Sequence, residues 1–422
     1  MLDANGKGRQ EIQLPNDGYI VQINRSVSPD GNWLAYFTGS VDEPYDLALN
    51  LLNLSNGTTG HISKLIAPGF PENLEPAAGT LLFYEGDDCL ESLECRMGLL
   101  QRSFISGIYR LDWSPDGGFL AFAAQIDGPS SDLHLYDFNQ KTVRRITNDP
   151  QIIGRIEWAP NGDKILYENF VPGSLRAGRT IHLADPESQP LQSPSKLVDE
   201  DALWGEYGWF SENLYLFYEP NDTEPQFSNL NILDTDTGQL REVWPYTADF
   251  FTINKENKTV LLFHKNHNHL KATVAEGIYE VHPNGKYWKI SDLPLILYKG
   301  QGPYHVLAED YRGRVYNIKN DGSIELLEWG ERGIPWVSPD GRWLLFRESK
   351  QLALYTNLYE LVKTWSLEEE YFNVTWSPDS SGLFIFTNIN AHYAAITDDQ
   401  PRPLFEGCVI KDCLPARFIW LP

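Results

Sequence analysis

The chain predicts an all-β fold, a β-propeller of four-stranded blades, and three observations carry that expectation. A unit of four short apolar strands recurs almost from end to end, a Ser-Pro-Asp-Gly turn or a near copy of it marks the same place in many units, and no segment keeps a helical period. The stretch Tyr109 to Ile146 is the least degenerate copy: Tyr-Arg-Leu-Asp-Trp, then Ser114-Pro115-Asp116-Gly117, then Gly-Phe-Leu-Ala-Phe-Ala-Ala, a polar loop, Asp-Leu-His-Leu-Tyr-Asp, a short turn and Thr-Val-Arg-Arg-Ile.

Each apolar segment is bounded by turn residues and is rich in β-branched and aromatic side chains. In the tetrapeptide, Pro presets φ for the first central position, Asp tolerates the next, and Gly takes the positive φ that closes a bulged hairpin. Its place between two apolar strands makes it a turn and not a metal loop.

The first unit opens with Tyr19 to Val27, turns at Ser28-Pro29-Asp30-Gly31 and continues through Trp33 to Phe37, Leu47 to Leu54 and Thr59 to Ile66. From Glu75 to Phe104 the pattern is irregular, a worn unit or an insertion. After the reference unit, Ala159-Pro160-Asn161-Gly162 repeats the turn, followed by Ile165-Leu166-Tyr167 and Thr180 to Leu183. Gly208 to Tyr218 with Asn229 to Trp244, Phe251 to His264 with Gly277 to Ile290, and Tyr304 to Glu309 with Arg314 to Leu327 keep the strand order but lose the signature turn. Ser338-Pro339-Asp340-Gly341 and Ser377-Pro378-Asp379-Ser380 restore it. Eight units give an eight-bladed propeller as the first reading, with seven or nine depending on the irregular region.

Ser114 and Ala159 open turns that lie 45 residues apart, and Ser338 and Ser377 open turns 39 apart, a propeller-like period. The pattern resembles the TolB-like β-propeller repeat, found also in the propellers of prolyl oligopeptidases, and the resemblance covers nearly the whole chain. It implies a partner-docking module, a substrate filter or, less often, an enzyme. The Gly-x-Ser-x-Gly elbow of a hydrolase half does not occur in the sequence, nor does a phosphate loop or a His-Glu-x-x-His zinc helix.

With 422 residues, 42% hydrophobic and 22% charged, the chain holds enough apolar material for a large core. A repeat overrides the length-based expectation of several domains, so residues 1–422 read as a single propeller domain, whole or a fragment of a longer chain. A net charge of −24 argues against a nucleic-acid partner, which needs clustered Lys and Arg. Asp87-Asp88, Asp199-Glu200-Asp201 and Glu368-Glu369-Glu370 read as solvated loop charge, with a cationic partner the alternative.

The cysteines fall as two close pairs, Cys89 with Cys95 and Cys408 with Cys413. That spacing suits two local disulfides in an oxidising compartment, with free thiols the alternative. No apolar run reaches the length of a membrane span, and Met1-Leu2-Asp3 opens no basic-then-apolar leader. An extracytoplasmic location, periplasmic, secreted or at the cell surface, therefore requires a signal or anchor that has been removed or lies upstream.

In a four-stranded blade the first-to-second and third-to-fourth turns share one face, and the second-to-third loops and blade connections share the other. The first set is short: the signature turns, Asp234-Thr235-Asp236-Thr237-Gly238, His282-Pro283-Asn284-Gly285 and Asn320-Asp321-Gly322. The Asp234 segment lacks the closing glutamate of a calcium loop and reads as a hairpin turn. The second set reads as long and irregular, over Thr38 to Asp46, Glu85 to Cys95, Ala124 to Ser131, Glu168 to Arg179, Glu219 to Ser228 and His264 to Glu276. Binding usually resides in such loops.

Candidate ligand residues there are Asp127, Arg176, Arg179 and Glu219. Trp204, Tyr207 and Trp209 form either a stacking platform for a sugar or aromatic side chain or, the preferred reading, core packing at the start of the next blade. Trp113, Trp158 and Trp376 each precede a signature turn and read as repeat structure. His264, His267 and His269 are the candidate ligands for a divalent metal, with a solvated polar loop the bland reading. A similar propeller with a His-rich metal site occurs in oligogalacturonate lyases, whose ligands do not map residue by residue. The reading reached is a non-catalytic extracytoplasmic propeller without a cofactor that binds a protein or glycan. The alternative is a metal-dependent polysaccharide lyase or hydrolase with its site in the central funnel.

Overall fold

A computed structural model describes residues 14, 26–38, 48–65, 111–124, 126, 132–147, 152–170, 179–187, 196–198, 208–220, 228–246, 250–254, 257–265, 274–299, 301–304, 306–348, 350–367, 371–387 and 391–403. Among them the fold is all-β, a succession of antiparallel sheets in which each strand pairs with the next in sequence. The chain divides into two compact units, the first sheets lying in residues 12–202 and 207–241 and the later ones in residues 242–420.

In the first unit, the first sheet holds Trp33–Thr38, Ala48–Asn53 and Thr59–Lys64, with an isolated bridge from Val27 to Leu34 where a further strand would begin. The second holds Leu111–Trp113, Phe119–Ala124, Asp132–Asp137 and Thr142–Arg145, and the third Ile152–Trp158, Ile165–Phe170, Arg179–Ala184 and Lys196–Val198. The fourth holds Gly208–Trp209, Leu214–Pro220, Ser228–Asp234 and Leu240–Trp244, and the unit boundary falls inside its last strand.

In the second unit, the fifth sheet holds Phe250–Asn254, Thr259–His264, Gly277–Val281 and Tyr287–Ser291. The sixth holds Ile296–Lys299, Val306–Glu309, Arg314–Ile318 and Ile324–Glu331. The seventh holds Trp336–Val337, Trp343–Glu348, Gln351–Thr356 and Leu361–Ser366, and the eighth Tyr371–Trp376, Gly382–Thr387, Ala391–Ala395 and Arg402–Pro403. The expected order of units is borne out wherever residues are described. Residues 66–110, on which the expected blade number turns, lie outside them.

Packing follows from the strand pattern. Both faces of a middle strand are covered by neighbouring sheets, so Phe119–Ala124 and Thr259–His264 are buried almost throughout, while fourth strands such as Thr142–Arg145 and Leu361–Ser366 are largely exposed. Most of the cores are shared by two successive sheets. Leu49, Leu51, Leu120 and Phe122 join the first and second, Leu133, Leu135, Ile156 and Tyr167 the second and third, and Leu352, Trp365, Leu383 and Ile385 the seventh and eighth.

The signature turns are built alike. The Ser28 hydroxyl donates to Asp30 at 2.5 Å, Ser114 to Asp116 at 2.6 Å, Ser338 to Asp340 at 2.7 Å and Ser377 to Asp379 at 2.7 Å. The same hydroxyls accept the amides of Trp33, Phe119, Trp343 and Gly382 at 2.8–3.0 Å. Gly31, Gly117, Gly162 and Gly341 take positive φ, as does Ser380 in the copy that lacks the glycine. The turns are therefore structural, as their position in the sequence predicts. The Asp234 segment is likewise a hairpin turn: its Oδ1 accepts the amides of Asp236 and Thr237 at 3.1 and 3.0 Å, and Gly238 closes it at φ 69°.

Two features depart from the sequence reading. The sixth sheet opens with Ile296–Lys299, a strand that the repeat pattern in the sequence does not mark. Its fourth strand carries a long bulge, since Tyr316 pairs with Leu326 and Arg314 only with Glu331. The intervening Trp329 is 3% exposed and meets Tyr304 edge-on at 5.2 Å, joining the core between the sixth and seventh sheets.

Candidate binding face

Hydrogen bonds place the first-to-second and third-to-fourth turns of neighbouring sheets together. Lys164, after the first turn of the third sheet, pairs with Asp236 in the last turn of the fourth at 2.5 Å, and the Asn213 amide reaches the same carboxylate at 2.9 Å. In the second unit Asn257 of the fifth sheet donates to the Asn320 carbonyl of the sixth. Within single sheets the two turns are tied by backbone bonds, Leu54 to Asn32, Phe138 to Gly118, Thr235 to Asn213, Asn357 to Arg342 and Ile396 to Ser381, at 2.8–3.1 Å. The polar groups of this face are thus largely spent on the scaffold.

The opposite ends of the strands behave differently, and not uniformly. Second-to-third connections are long in the first five sheets, between Thr38 and Ala48, Ala124 and Asp132, Phe170 and Arg179, Pro220 and Ser228, and His264 and Gly277. In the last three sheets they shrink to residues 310–313, 349–350 and 388–390. The expected long connections Thr38–Asp46, Ala124–Ser131, Glu168–Arg179, Glu219–Ser228 and His264–Glu276 thus coincide with those of the first five sheets, Glu85–Cys95 lies outside the described residues, and the last three sheets, for which no long connection is expected, have short ones. At 310–313 the reason is local: Asp310 Oδ1 accepts the amides of Arg312 and Arg314 at 2.9 and 3.0 Å, and its Oδ2 accepts the Arg314 Nε at 2.7 Å, closing a four-residue turn.

Asp127, Arg176, Trp204, Tyr207, His267 and His269 lie outside the described residues, as do all four cysteines. Arg179 opens the third strand of the third sheet and pairs with Phe170. Glu219 is half-buried near the end of its strand, opposite Asn229. Trp209 packs edge-on to Tyr215 at 5.5 Å in the core between the third and fourth sheets, as the packing reading expects. His264 is not part of a solvated loop: it ends a buried strand at 1% exposure, with Trp244 and Tyr246 each 5.7 Å away and Tyr279 at 6.5 Å. No group of three or more His, Cys, Asp or Glu side chains that could hold a metal occurs among the described residues.

Sequence reasoning missed two charged sites beside the long connections. In the third sheet, Arg155 is 6% exposed, donates to Glu157 from Nε at 2.9 Å, and has Glu168, itself fully buried, 3.9 Å away. A Cβ on Gly208 of the next sheet would lie 3.7 Å from the Glu157 carboxylate and 3.9 Å from the guanidinium, so the strand passes directly over the pair. In the second sheet, buried Asp132 opens the third strand, where it accepts the Thr147 hydroxyl at 3.1 Å and pairs with Arg145 at 2.7 Å. Both are placed where the long connections leave the sheet. Burying such charges is costly unless they are paired and hydrogen-bonded.

No helix among the described residues is long and apolar enough to cross a membrane. No protein-family model matches the chain. A segment of 137 residues, 32% of the chain, is 26% identical to the "Uncharacterized peptidase YuxL" of Bacillus subtilis, and the match spans 18% of that protein's length. Among solved structures, a eukaryotic initiation factor matches 94% of this chain and 89% of its own at 13% identity and a TM-score of 0.53. An oligogalacturonate lyase from Vibrio parahaemolyticus matches 89% of each chain at 11% identity and a TM-score of 0.37. TolB from Acinetobacter baumannii matches 80% of this chain and 52% of its own at 14% identity and a TM-score of 0.25. The described antiparallel sheets, seven of them four-stranded, together with the likeness to the initiation factor, show the fold class alone: an all-β propeller type.

Proposed function

We propose that the protein is a non-catalytic, extracytoplasmic propeller that holds a protein or glycan partner through the second-to-third connections of its first five sheets. The observation that supports this reading is the contrast between the two ends of the strands. On one side Ser, Asp and Asn are committed to their own turns and to neighbouring turns. On the other, chain of variable length leaves a scaffold stiffened by buried ion pairs at Asp132 and Arg155. Variable loops on a rigid frame are the usual seat of recognition. The two cysteine pairs support an oxidising compartment.

The test is an alanine series at Arg176, Arg179, Glu219 and His267, assayed for retention of envelope glycans and envelope proteins on the immobilised chain. Loss of retention with an unchanged melting temperature is expected; full retention by every variant contradicts the proposal. The metal-dependent lyase or hydrolase reading has its own measurement. Stoichiometric metal that survives dialysis and disappears in His267→Ala would replace the binding module with that enzyme.

A further inference from the structure

The first strand of the sixth sheet alternates sharply. Leu295 and Leu297 are 1% and 6% exposed and belong to the core with the fifth sheet, whereas Ile296 and Tyr298 on the other side are 36% and 38% exposed. On that side the seventh sheet packs against Leu307 and Val315, and its first strand is only Trp336–Val337. Tyr298 pairs with Leu307, and Ile296 pairs with Glu309, so these four side chains share one side of the sheet. Glu309 stands diagonal to Tyr298, a separation of about 7–8 Å between backbones that long side chains bridge.

Glu309 is half-buried and held in place. The Ile334 amide donates to its carboxyl, and a Cβ on Gly333 would come within 3.3 Å of Oε1. Burial pushes this carboxyl above the ordinary range, and the neighbouring Asp310 pushes it the same way. The arginines nearby are engaged elsewhere. Arg314 pairs with Asp310 at 2.6 Å, Arg312 donates to the Tyr311 hydroxyl at 3.0 Å, and Arg332 lies over the rings of Tyr355 and Tyr359 at 5.3 and 5.8 Å. Glu309 therefore has no cation beside it among the described residues. A half-buried carboxylate without a counter-charge, next to an exposed aromatic ring, is the arrangement that a cation relieves twice, by ion pairing and by contact with the ring face.

We propose that Glu309, Tyr298 and Ile296 form a binding site for a guanidinium or ammonium group, with the carboxylate taking the charge, the Tyr298 ring facing the cation and Ile296 packing against its aliphatic stem. The site is built from the first two strands of the sixth sheet alone and stands or falls independently of the long connections of the first five. A chain with a net charge of −24 also draws cationic ligands toward it.

Saturation-transfer NMR on the full chain at neutral pH and low salt tests it. The probes are Nα-acetyl-arginine methylamide, which stands for a side chain in a peptide, spermidine for a free amine, and Nα-acetyl-citrulline methylamide as the neutral isostere. At least one cation should bind in the millimolar range and the citrulline probe should not. Binding of the arginine probe alone identifies a peptide side chain; binding of spermidine alone identifies a small amine. Glu309→Gln should weaken that binding about tenfold and Tyr298→Leu about threefold. Equal binding of the citrulline probe, unchanged binding in Glu309→Gln, or no binding of either cation at 10-millimolar order of concentration, about the weakest affinity such a pair would give, overturns the proposal.

Discussion

Trp158 and Asp112 lock the third sheet to the second through two hydrogen bonds: the indole N–H donates to the Asp112 carbonyl at 3.0 Å, and the Asp112 carboxylate accepts the Trp158 amide at 2.8 Å. The indole bond recurs. Trp113 donates to the Ser26 carbonyl at 3.3 Å and Trp376 to the Trp336 carbonyl at 3.2 Å, each Trp standing one residue before its own turn and each acceptor two residues before the turn of the preceding sheet. Gly117 lies against Pro29 and Gly162 against Pro115 in the same register. The repeat in the sequence is thus a repeat of contacts between sheets.

Trp158→Ala is expected to cost about 3–5 kcal/mol in urea unfolding, since a nearly buried indole is removed. Trp158→Phe keeps the ring contact and the backbone bond to the Asp112 carboxylate and loses only the indole bond to the Asp112 carbonyl, for about 1–2 kcal/mol. Trp288→Ala, at 45% exposure, should change stability by about 0.5 kcal/mol or less.

The signature turns predict an acid-sensitive contribution. Hydrogen bonds from the serine hydroxyls hold Asp30, Asp116 and Asp379 below the ordinary aspartate value of 3.8. At Asp340 burial pushes the other way and is outweighed by the Arg342 and Ser338 donors. With the folded value below the unfolded one, the contribution is complete above pH 3.8 and is lost as pH falls through the folded values. Asp116→Asn should therefore lower the melting temperature at neutral pH, and the difference from wild type should shrink below that pH.

Glu309 carries the opposite sign. Its folded value lies above the ordinary 4.5, so folding is penalised as pH rises from 4.5 through the folded value. Glu309→Gln should melt higher than wild type at pH 7 and alike below pH 4.5. Differential scanning calorimetry at the two pH values checks this, and a lower melting temperature at pH 7 would contradict it.

Gly341 shows why the turn cannot simply be refilled. Its φ is 70°, and a Cβ there would lie 2.4 Å from Cγ of Pro303. Gly341→Ala should cost more than the roughly 1 kcal/mol of a left-handed alanine, and more than Gly117→Ala, where the nearest atom is 3.7 Å away.

The parts of the fold that were legible in the sequence are those whose local chemistry and global role agree. Ser-Pro-Asp-Gly spells out its own hydrogen bonds, and the Trp before it marks the seam with the preceding sheet. Ile296–Lys299 was missed because Gly300-Gln301-Gly302-Pro303 follows it in place of the signature, although Pro303 still meets Gly341 as Pro29 meets Gly117. Arg155, Glu157 and Glu168 were missed for a different reason. Their alternation with Ile156, Trp158 and Tyr167 reads as a strand with one wet face, but in a blade both faces are covered, so charge on the supposed outer face is buried and paired. His264 stands at the junction of an apolar run and a polar one, and it was grouped with His267 and His269 because polar residues follow it, while its neighbours in space are Trp244, Tyr246 and Tyr279.

Site-specific photo-crosslinking in the producing cell tests the central claim most directly. A benzoylphenylalanine placed at Arg176, Asp222 or His267 on the long connections should yield adducts with a protein or glycan partner, and the same probe at Asp236 or Asn284 among the short turns should yield none. Adducts confined to Asp236 and Asn284 would reverse the two faces and contradict the account.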